Sequence, residues 1–579
     1  MSQHNKVNPA DPTTIPKFID PLEKPKVARP KRNLKYPLNS YYELEMKEAY
    51  HRFHRYFPLT KVWGYDGLVP GPTIEAMKDK TTYVKYINKL PKKHFLPVDT
   101  TLHTANDSPE VRTVTHLHGA NVFWESDGHP ESWYTQNYEY VGPKFRREVH
   151  EYTNHQPATT LWYHDHAMAL TRLNVYAGLA GYYLLRDFME ERLQLPSGKY
   201  EIPMIIQDKS FNEDGSLFYP DGPQPPFPPA PVKPSITVGH LGNTITVNGK
   251  VWPYLNVEPR KYRFRMLNAS NRRGYIFRLS NNQPMIQLGT DGGFLTAPNP
   301  INTIELLPAE RTDLIIDFTN LAGQTITLMN DDTESAPPNE HTSVIMQFRV
   351  CVPLQGKDTS VIPTEMAPRG MDLHTEHAHI ERDLPLTASV DDYGRLMLML
   401  NDKMYHEPAT EKPSLDSIEI WNFINTTPIP HPIHIHLIQG KIIGRRPFDV
   451  QKYLNEGILE MGDLELPRDY ETGFKDVFKA DVGYVTSVIM HWKDFTGNYI
   501  WHCHFLEHED HDMMRPITVI NDAHPVQLPH ANEGHNEAAP PTDNPQNNQL
   551  ANTLLAKDSE LSESVEETDA ETNDNKEEE

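Results

Sequence analysis

Histidine makes up 29 of the 579 residues, and five pairs have the form His-x-His: 116/118, 164/166, 377/379, 434/436 and 502/504. Chance at this composition predicts roughly 1.4 such pairs. His377 and His379 fall in a polar stretch, LHTEHAHIERD, with no strand signal, and are read as surface residues. The other four pairs lie beside apolar residues, in VTHLHG (114–119), LWYHDH (161–166), HPIHIH (431–436) and IWHCH (500–504). On an extended strand residues i and i+2 share a face, so each pair can direct two imidazoles to one side. Eight imidazoles are too many for one ion and suit a small cluster of copper, zinc, iron or nickel. Any one pair could be buried structural histidines, but four together call for a metal.

Cys503 narrows the choice. It lies between His502 and His504, so its side chain points to the opposite face from theirs. His508 follows five residues later, Met513 five after that, and His431 precedes the third pair by three. Two imidazoles, a thiolate and a weak thioether make the donor set of a blue-copper electron-transfer site. Zinc has no need of the thioether, and a Cys–His nucleophile leaves the other histidines unexplained. Reducing dioxygen to two waters takes four electrons, whereas common organic donors give one at a time. One mononuclear copper joined through Cys503 to a three-copper cluster stores four.

The elements that must position these ligands read as strands. Thr81–Ile87, Tyr262–Met266 and Ser417–Trp421 alternate apolar with polar residues, as half-buried strands do. Helical periodicity is confined to short connections such as 187–194, and 51 prolines disfavour long helices. A strand ending in an apolar residue plus asparagine recurs at Asn88, Asn268 and Asn425. A second strand recurs late in each unit, at Thr160–Tyr163, Thr325–Leu328 and Asn498–Trp501. The fold expected is all-β, three sandwiches of one kind. Residues 220–234 hold eight prolines and are read as an interdomain strap rather than an SH3 ligand. From 526 the chain is read as a disordered acidic tail, with eleven acidic and two basic residues over 551–579.

Composition excludes other classes. With 55 basic and 79 acidic residues the net charge is −24, which disfavours nucleic-acid and membrane-surface partners. No apolar run reaches the roughly 18 residues of a membrane span. Two cysteines exclude a disulfide scaffold, and Cys351 is read as a free core thiol. The N-terminus lacks the basic and apolar regions of a secretory signal, so cytoplasmic synthesis is expected.

The motifs HLHG (116–119), WYHDHAMALTRLNVYAGL (162–179), NGKVWPYL (248–255), HPIHIHL (431–437) and HCHFLEHEDHDMMRP (502–516) resemble those of the multicopper oxidases, most closely the bacterial endospore-coat laccases. The resemblance covers roughly residues 40–520 and implies three cupredoxin-like (Greek-key β-sandwich) domains. Their expected bounds are 1–190, 191–370 and 371–525, with the tail at 526–579, and copper ligands only in the first and third. It implies four copper ions. His431, Cys503, His508 and axial Met513 would bind the type 1 copper, with His508 facing the donor. His116 and His434 would hold the type 2 copper. His118, His164 and His504 would bind one type 3 copper, and His166, His436 and His502 the other. Asp127 and Glu509 match carboxylates near the cluster, either relaying protons or hydrogen-bonding ligand imidazoles.

The chain departs from the resemblance in two places. Bulky Phe123 and Trp124, with Ala120, follow HLHG where smaller residues are expected along a channel wall. The disulfide of close relatives cannot form, because Cys503 is committed to metal. The activity implied is that of a laccase, oxidising phenolic and other aromatic donors and reducing dioxygen. Bilirubin-oxidase or phenoxazinone-synthase specificity uses the same ligands. A cuprous oxidase carries a methionine-rich insert, whereas the 19 methionines here are scattered. A non-catalytic coat or copper-storage protein is the reading outside enzymes. A monomer deposited in the spore coat is expected.

Overall fold

The computed structural model describes residues 8–103, 105, 108–223, 229–236, 238–331, 341–366 and 373–522. The expected tail, 526–579, and the middle of the proline-rich stretch, 224–228, lie outside the described residues. Among the described residues β-strands dominate, and the longest helices, Thr171–Ala177 and Val450–Glu456, have seven residues. No described helix is long and apolar enough to cross a membrane.

Six sheets form three pairs in chain order. In the first unit, Thr60–Tyr65, Ser40–His51, Thr82–Asn88 and Val149–Tyr152 make one sheet, and Gly71–Met77, Ala180–Arg186, Thr159–Asp165 and Thr115–His118 the other. The second unit has eight-stranded and five-stranded sheets. In the third, five strands centred on Ile418–Asn425 accompany four, ordered Val477–Ala480, His431–Ile435, Gly497–Cys503, Met514–Val519. Ser40–His51 runs parallel to Thr82–Asn88, as Ile380–Val390 does to Ile418–Asn425. Parallel neighbours cannot be joined by a tight hairpin. Between the first two the chain crosses to the other sheet and lays down Gly71–Met77, closing the sandwich. One apolar core runs through the first and second units, from Met46, Trp63 and Tyr163 to Trp252, Phe264 and Phe348. The third has its own, around Trp421, Phe423, Trp492 and Trp501.

The repeated asparagine has one cause in all three units. Its Oδ1 accepts the N–H two residues on, from Leu90, Ser270 and Thr427, each at 3.0 Å. Its Nδ2 donates to a carbonyl across the fold, that of Tyr134, Leu306 or Ala480, at 2.9–3.2 Å. A short amide that mimics a backbone turn ends each strand and ties it to its neighbour.

Two expectations are corrected. The strand Lys261–Asn268 is not half-exposed: its charged face is as buried as its apolar one. Arg263 donates to Asp313 (2.8 Å) and Glu190 (2.6 Å), and Arg265 to Glu201 (2.6 Å). Glu190 comes from the helix Phe188–Arg192, capped by Asp187, which lies in the connection expected at 187–194. Deleting one partner of such a buried network costs about 3–5 kcal/mol. Cys351 is exposed, not a core thiol: it lies just past the strand Val344–Arg349 and donates to Asn256 Oδ1 at 3.4 Å.

Candidate metal centre

Two equivalent strand pairs carry the cluster. Thr115–His118 lies antiparallel to Thr159–Asp165 with His116 opposite His164. His431–Ile435 lies antiparallel to Gly497–Cys503 with His434 opposite His502. In three of the four pairs the second histidine falls just past its strand, since the strands end at Asp165, Ile435 and Cys503. The imidazoles therefore gather where strand ends of the first and third units meet. His116 stacks on His436 with ring centroids 3.9 Å apart, and His118 on His434 at 3.7 Å.

All eight expected imidazoles come together, each at most 1% exposed. His166, His436 and His502 present ring nitrogens to one another, with Nε2 atoms 3.3 Å apart across His166–His502 and His436–His502. His116 and His434 bring their Nε2 atoms to 3.5 Å. His118, His164 and His504 have ring centroids 5.1–5.7 Å apart, and the nitrogens here that lie close enough to share an ion are those of His116, His118 and His164. His377 and His379 stay outside it; the latter accepts from Ile418 N.

Burial favours the neutral form of seven of these imidazoles, the form a ligand needs. It drives His116, His118, His166, His434, His436 and His504 far below the usual range, and neighbouring histidines add to the effect. His164 is lowered to about 3, again mainly by burial. His118 Nδ1, His164 Nε2 and both nitrogens of His504 are buried without a hydrogen-bond partner. A buried polar atom left unpaired costs about 1–3 kcal/mol. A soft cation accepting those lone pairs removes that cost, so the donor set fits metal.

On the far face of His502–His504, Cys503 Sγ lies 3.5 Å from His431 Nδ1 and 3.9 Å from His508 Nδ1. Thr427 Oγ1, 2.8 Å from His431 Nε2, turns that ring so that Nδ1 faces the sulfur. Burial lowers His431 to about 3 and raises the Cys503 thiol, which favours the thiol until a cation compensates. Met513, Ile433 and Phe505 are buried around the site. Met513 N donates to His508 O and Met513 O accepts from Cys503 N, which pins the methionine beside the sulfur strand.

Carboxylates and carbonyls fix the opposite edge of most rings. Asp127 O accepts from His116 Nδ1 at 2.5 Å, and Asp127 Oδ2 from His436 Nδ1 at 2.7 Å. Glu509 places Oε2 3.0 Å from His502 Nδ1 and Oε1 3.3 Å from His166 Nδ1. Both expected carboxylates thus lie against imidazoles of the cluster. Two further residues were not foreseen. Asp476, fully buried, accepts from His118 Nε2 at 3.0 Å and, through its carbonyl, from His434 Nδ1 at 2.8 Å. Arg311 of the second unit clasps Asp476. The only local sign of Asp476 is a charged pair, Lys475-Asp476, flanked by apolar residues in Phe474-Lys475-Asp476-Val477-Phe478. Phe123 packs on Phe495 (4.3 Å) and Trp124 against Gly497, so both wall the junction of the first and third units.

Comparison with known proteins agrees with this geometry. Family profiles described as multicopper oxidase match residues 52–106 and 98–189, 222–348 and 377–523. A laccase of Bacillus stratosphericus is 49% identical over 511 residues, covering 87% of this chain and 99% of that one. A laccase of Bacillus subtilis is 48% identical over 88% of this chain and all of its own length. The crystal structure of a Pediococcus acidilactici laccase superposes with a TM-score of 0.69 at 25% identity, covering 88% of this chain and 95% of that one. Sequence, fold and ligand geometry converge: this chain belongs to the multicopper oxidase family, copper-dependent oxidoreductases.

Proposed function

We propose that this oxidase is a laccase, taking single electrons from phenolic and related aromatic donors and reducing dioxygen to water. One observation carries the reading: Cys503 lies against His431 and His508, while both its chain neighbours belong to the imidazole cluster. The laccases of the two Bacillus species support it. His431, Cys503, His508 and axial Met513 are assigned to the type 1 copper, and His116 with His434 to the type 2 copper. His118, His164 and His504 are assigned to one type 3 copper, and His166, His436 and His502 to the other. Copper so bound would cycle between two oxidation states, supplying one-electron entry at one site and four-electron delivery to dioxygen at the other.

The protein's own groups do the rest. Cys503 links the sites through two peptide bonds, with a third contact where His502 Nδ1 meets Cys503 O at 3.0 Å. His508, 2% exposed, is the ligand assigned to face the donor. Asp127 holds the Nδ1–H groups of His116 and His436 outward, so their Nε2 lone pairs turn inward, while Glu509 lies beside Nδ1 of His502 and of His166. Lying at the cluster, they are also positioned to hand on the protons that oxygen reduction consumes. The division at 190, 370 and 525, a monomeric state and deposition in the spore coat belong to the same proposal.

Oxygen uptake with a simple phenol tests the reading, with kcat/KM compared across simple phenols, bilirubin and Cu(I). Preference for phenols is expected. Preference for bilirubin or Cu(I) replaces the specificity, and no uptake by copper-loaded protein removes the enzyme reading in favour of a coat or storage role.

A further inference from the structure

Arg311 begins the strand Arg311–Asp317 of the second unit, which gives no imidazole to the cluster. Its side chain is 1% exposed and all five of its N–H groups are used. Nε donates to Thr160 O (3.0 Å), on the strand of the first unit that carries His164. Nη1 donates to Ala309 O (3.1 Å) and Asp476 Oδ1 (2.6 Å), and Nη2 to Asp291 O (3.3 Å) and Asp476 Oδ2 (2.6 Å). Asp476, of the third unit, thus receives a two-point clasp whose planar geometry only a guanidinium supplies. Oδ1 retains capacity for His118 Nε2, of the first unit, at 3.0 Å. All three units meet at this ion pair.

The consequence lies in the nitrogen that His118 offers. His116, His164, His434, His436 and His502 all have Nδ1 against an outer oxygen, at 2.5–3.0 Å, which leaves Nε2 inward. His118 is reversed: Nε2 is held by Asp476, and Nδ1 is the atom buried without a partner. The neighbouring glycine points the same way. Gly119 has φ +83°, and a Cβ there would lie 2.5 Å from Asp476 Oδ2 and 2.6 Å from Arg311 Nη2. Only glycine lets the HLHG turn close over the pair.

We propose that Arg311 and Asp476 are positioning residues that fix Nδ1 as the ligating nitrogen of His118, so that the copper-free unit helps to build the trinuclear site. Asp476 itself is not a ligand, although His118, His434 and Asp476 lie close enough to share an ion, because Arg311 occupies both its oxygens. Asp476→Asn keeps the shape but puts an amide donor where Arg311 and His118 already donate. Arg311→Met removes the clasp, and Arg311→Lys keeps the charge without the fork.

The inference rests on the copper reading, and copper-loaded wild-type protein is the control for that: if it holds no copper, the reading itself fails. With that control sound, copper per chain, blue absorbance and the type 2 electron paramagnetic resonance signal are measured on all three variants. Asp476→Asn and Arg311→Met are expected to keep the blue absorbance, change the type 2 signal and bind cluster copper about 10–100-fold more weakly. Arg311→Lys should recover part of the loss. Full copper with a wild-type type 2 signal in Asp476→Asn overturns the proposal. So does loss of blue absorbance in step with cluster copper, which would make the pair a general scaffold. Should Arg311→Met fail to fold, the isosteric Asp476→Asn decides.

Discussion

The first and third units build the same strand pair, and the residue between the two histidines of its later strand is Asp165 in one and Cys503 in the other. In both, that side chain accepts the backbone N–H two residues on, from Ala167 at 3.0 Å and from Phe505 at 3.4 Å. The carboxylate is then saturated by Val114 N (3.1 Å) and Asn174 Nδ2 (2.8 Å). Burial still pushes Asp165 up to about 7. The sulfur, a weak acceptor, has only Phe505 and two imidazole nitrogens in reach. In the second unit Asn330, opposite Phe277, takes the place of His164, and the central residue is Asp331, which accepts from Arg278 Nε. One local turn thus gives a structural cap, a metal site or neither. What decides is whether the protein itself satisfies the central side chain.

The largest effect is expected at the sulfur. Cys503→Ser keeps the turn hydrogen bond but replaces a soft ligand by a hard, neutral one. Blue absorbance should vanish and turnover fall by at least about 10³-fold; a retained blue band in the purified variant would place the thiolate elsewhere. At Asp165 the expected effect is on stability. Asp165→Ala strands the N–H groups of Val114 and Ala167 and the amide of Asn174, at about 1–3 kcal/mol each. Calorimetry should show a lowered unfolding midpoint while the blue band persists, and an unchanged midpoint would show that the carboxylate caps nothing.

How much of this the sequence disclosed follows from the range of each interaction. The four His-x-His pairs were legible because strand geometry has period two and fixes i and i+2 without outside help. The asparagine repeat was visible as a pattern, and its local half, the N–H two residues on, is a property of the turn itself. Alternation places Arg263 and Arg265 on a solvent face, because it cannot say that a helix from another segment brings Glu190 over the charged face. Asp476 and Arg311 lie 165 residues apart and belong to different units, so no local pattern joins them. A free cysteine is usually buried, whereas the place of Cys351 just past a strand end exposes it.

Smaller effects are expected in the sulfur's own surroundings. Met513→Leu should leave the blue centre intact and raise its reduction potential, because a weak donor that favours Cu(II) is lost. If Cu(II) is held about 10–100-fold less tightly relative to Cu(I), the rise is roughly 60–120 mV. A redox titration showing no change would remove Met513 from the axial position.

The smallest effect is expected at Thr427, where the repeated asparagine turn reaches an imidazole assigned to copper, that of His431, in this unit alone among the three. Asn425 Oδ1 holds Thr427 N at 3.0 Å and Thr427 Oγ1 at 2.8 Å, and that hydroxyl in turn faces His431 Nε2 at 2.8 Å. In the first unit the corresponding residue is Leu90, which has no hydroxyl. Thr427→Val keeps the shape and the backbone bond but leaves His431 Nε2–H without an acceptor, making the imidazole a poorer donor to Cu(II). The potential should rise by less than about 60 mV, the equivalent of tenfold in relative affinity, with the blue band retained. A shift as large as that of Met513→Leu would mean that the turn, rather than the thioether, sets the potential.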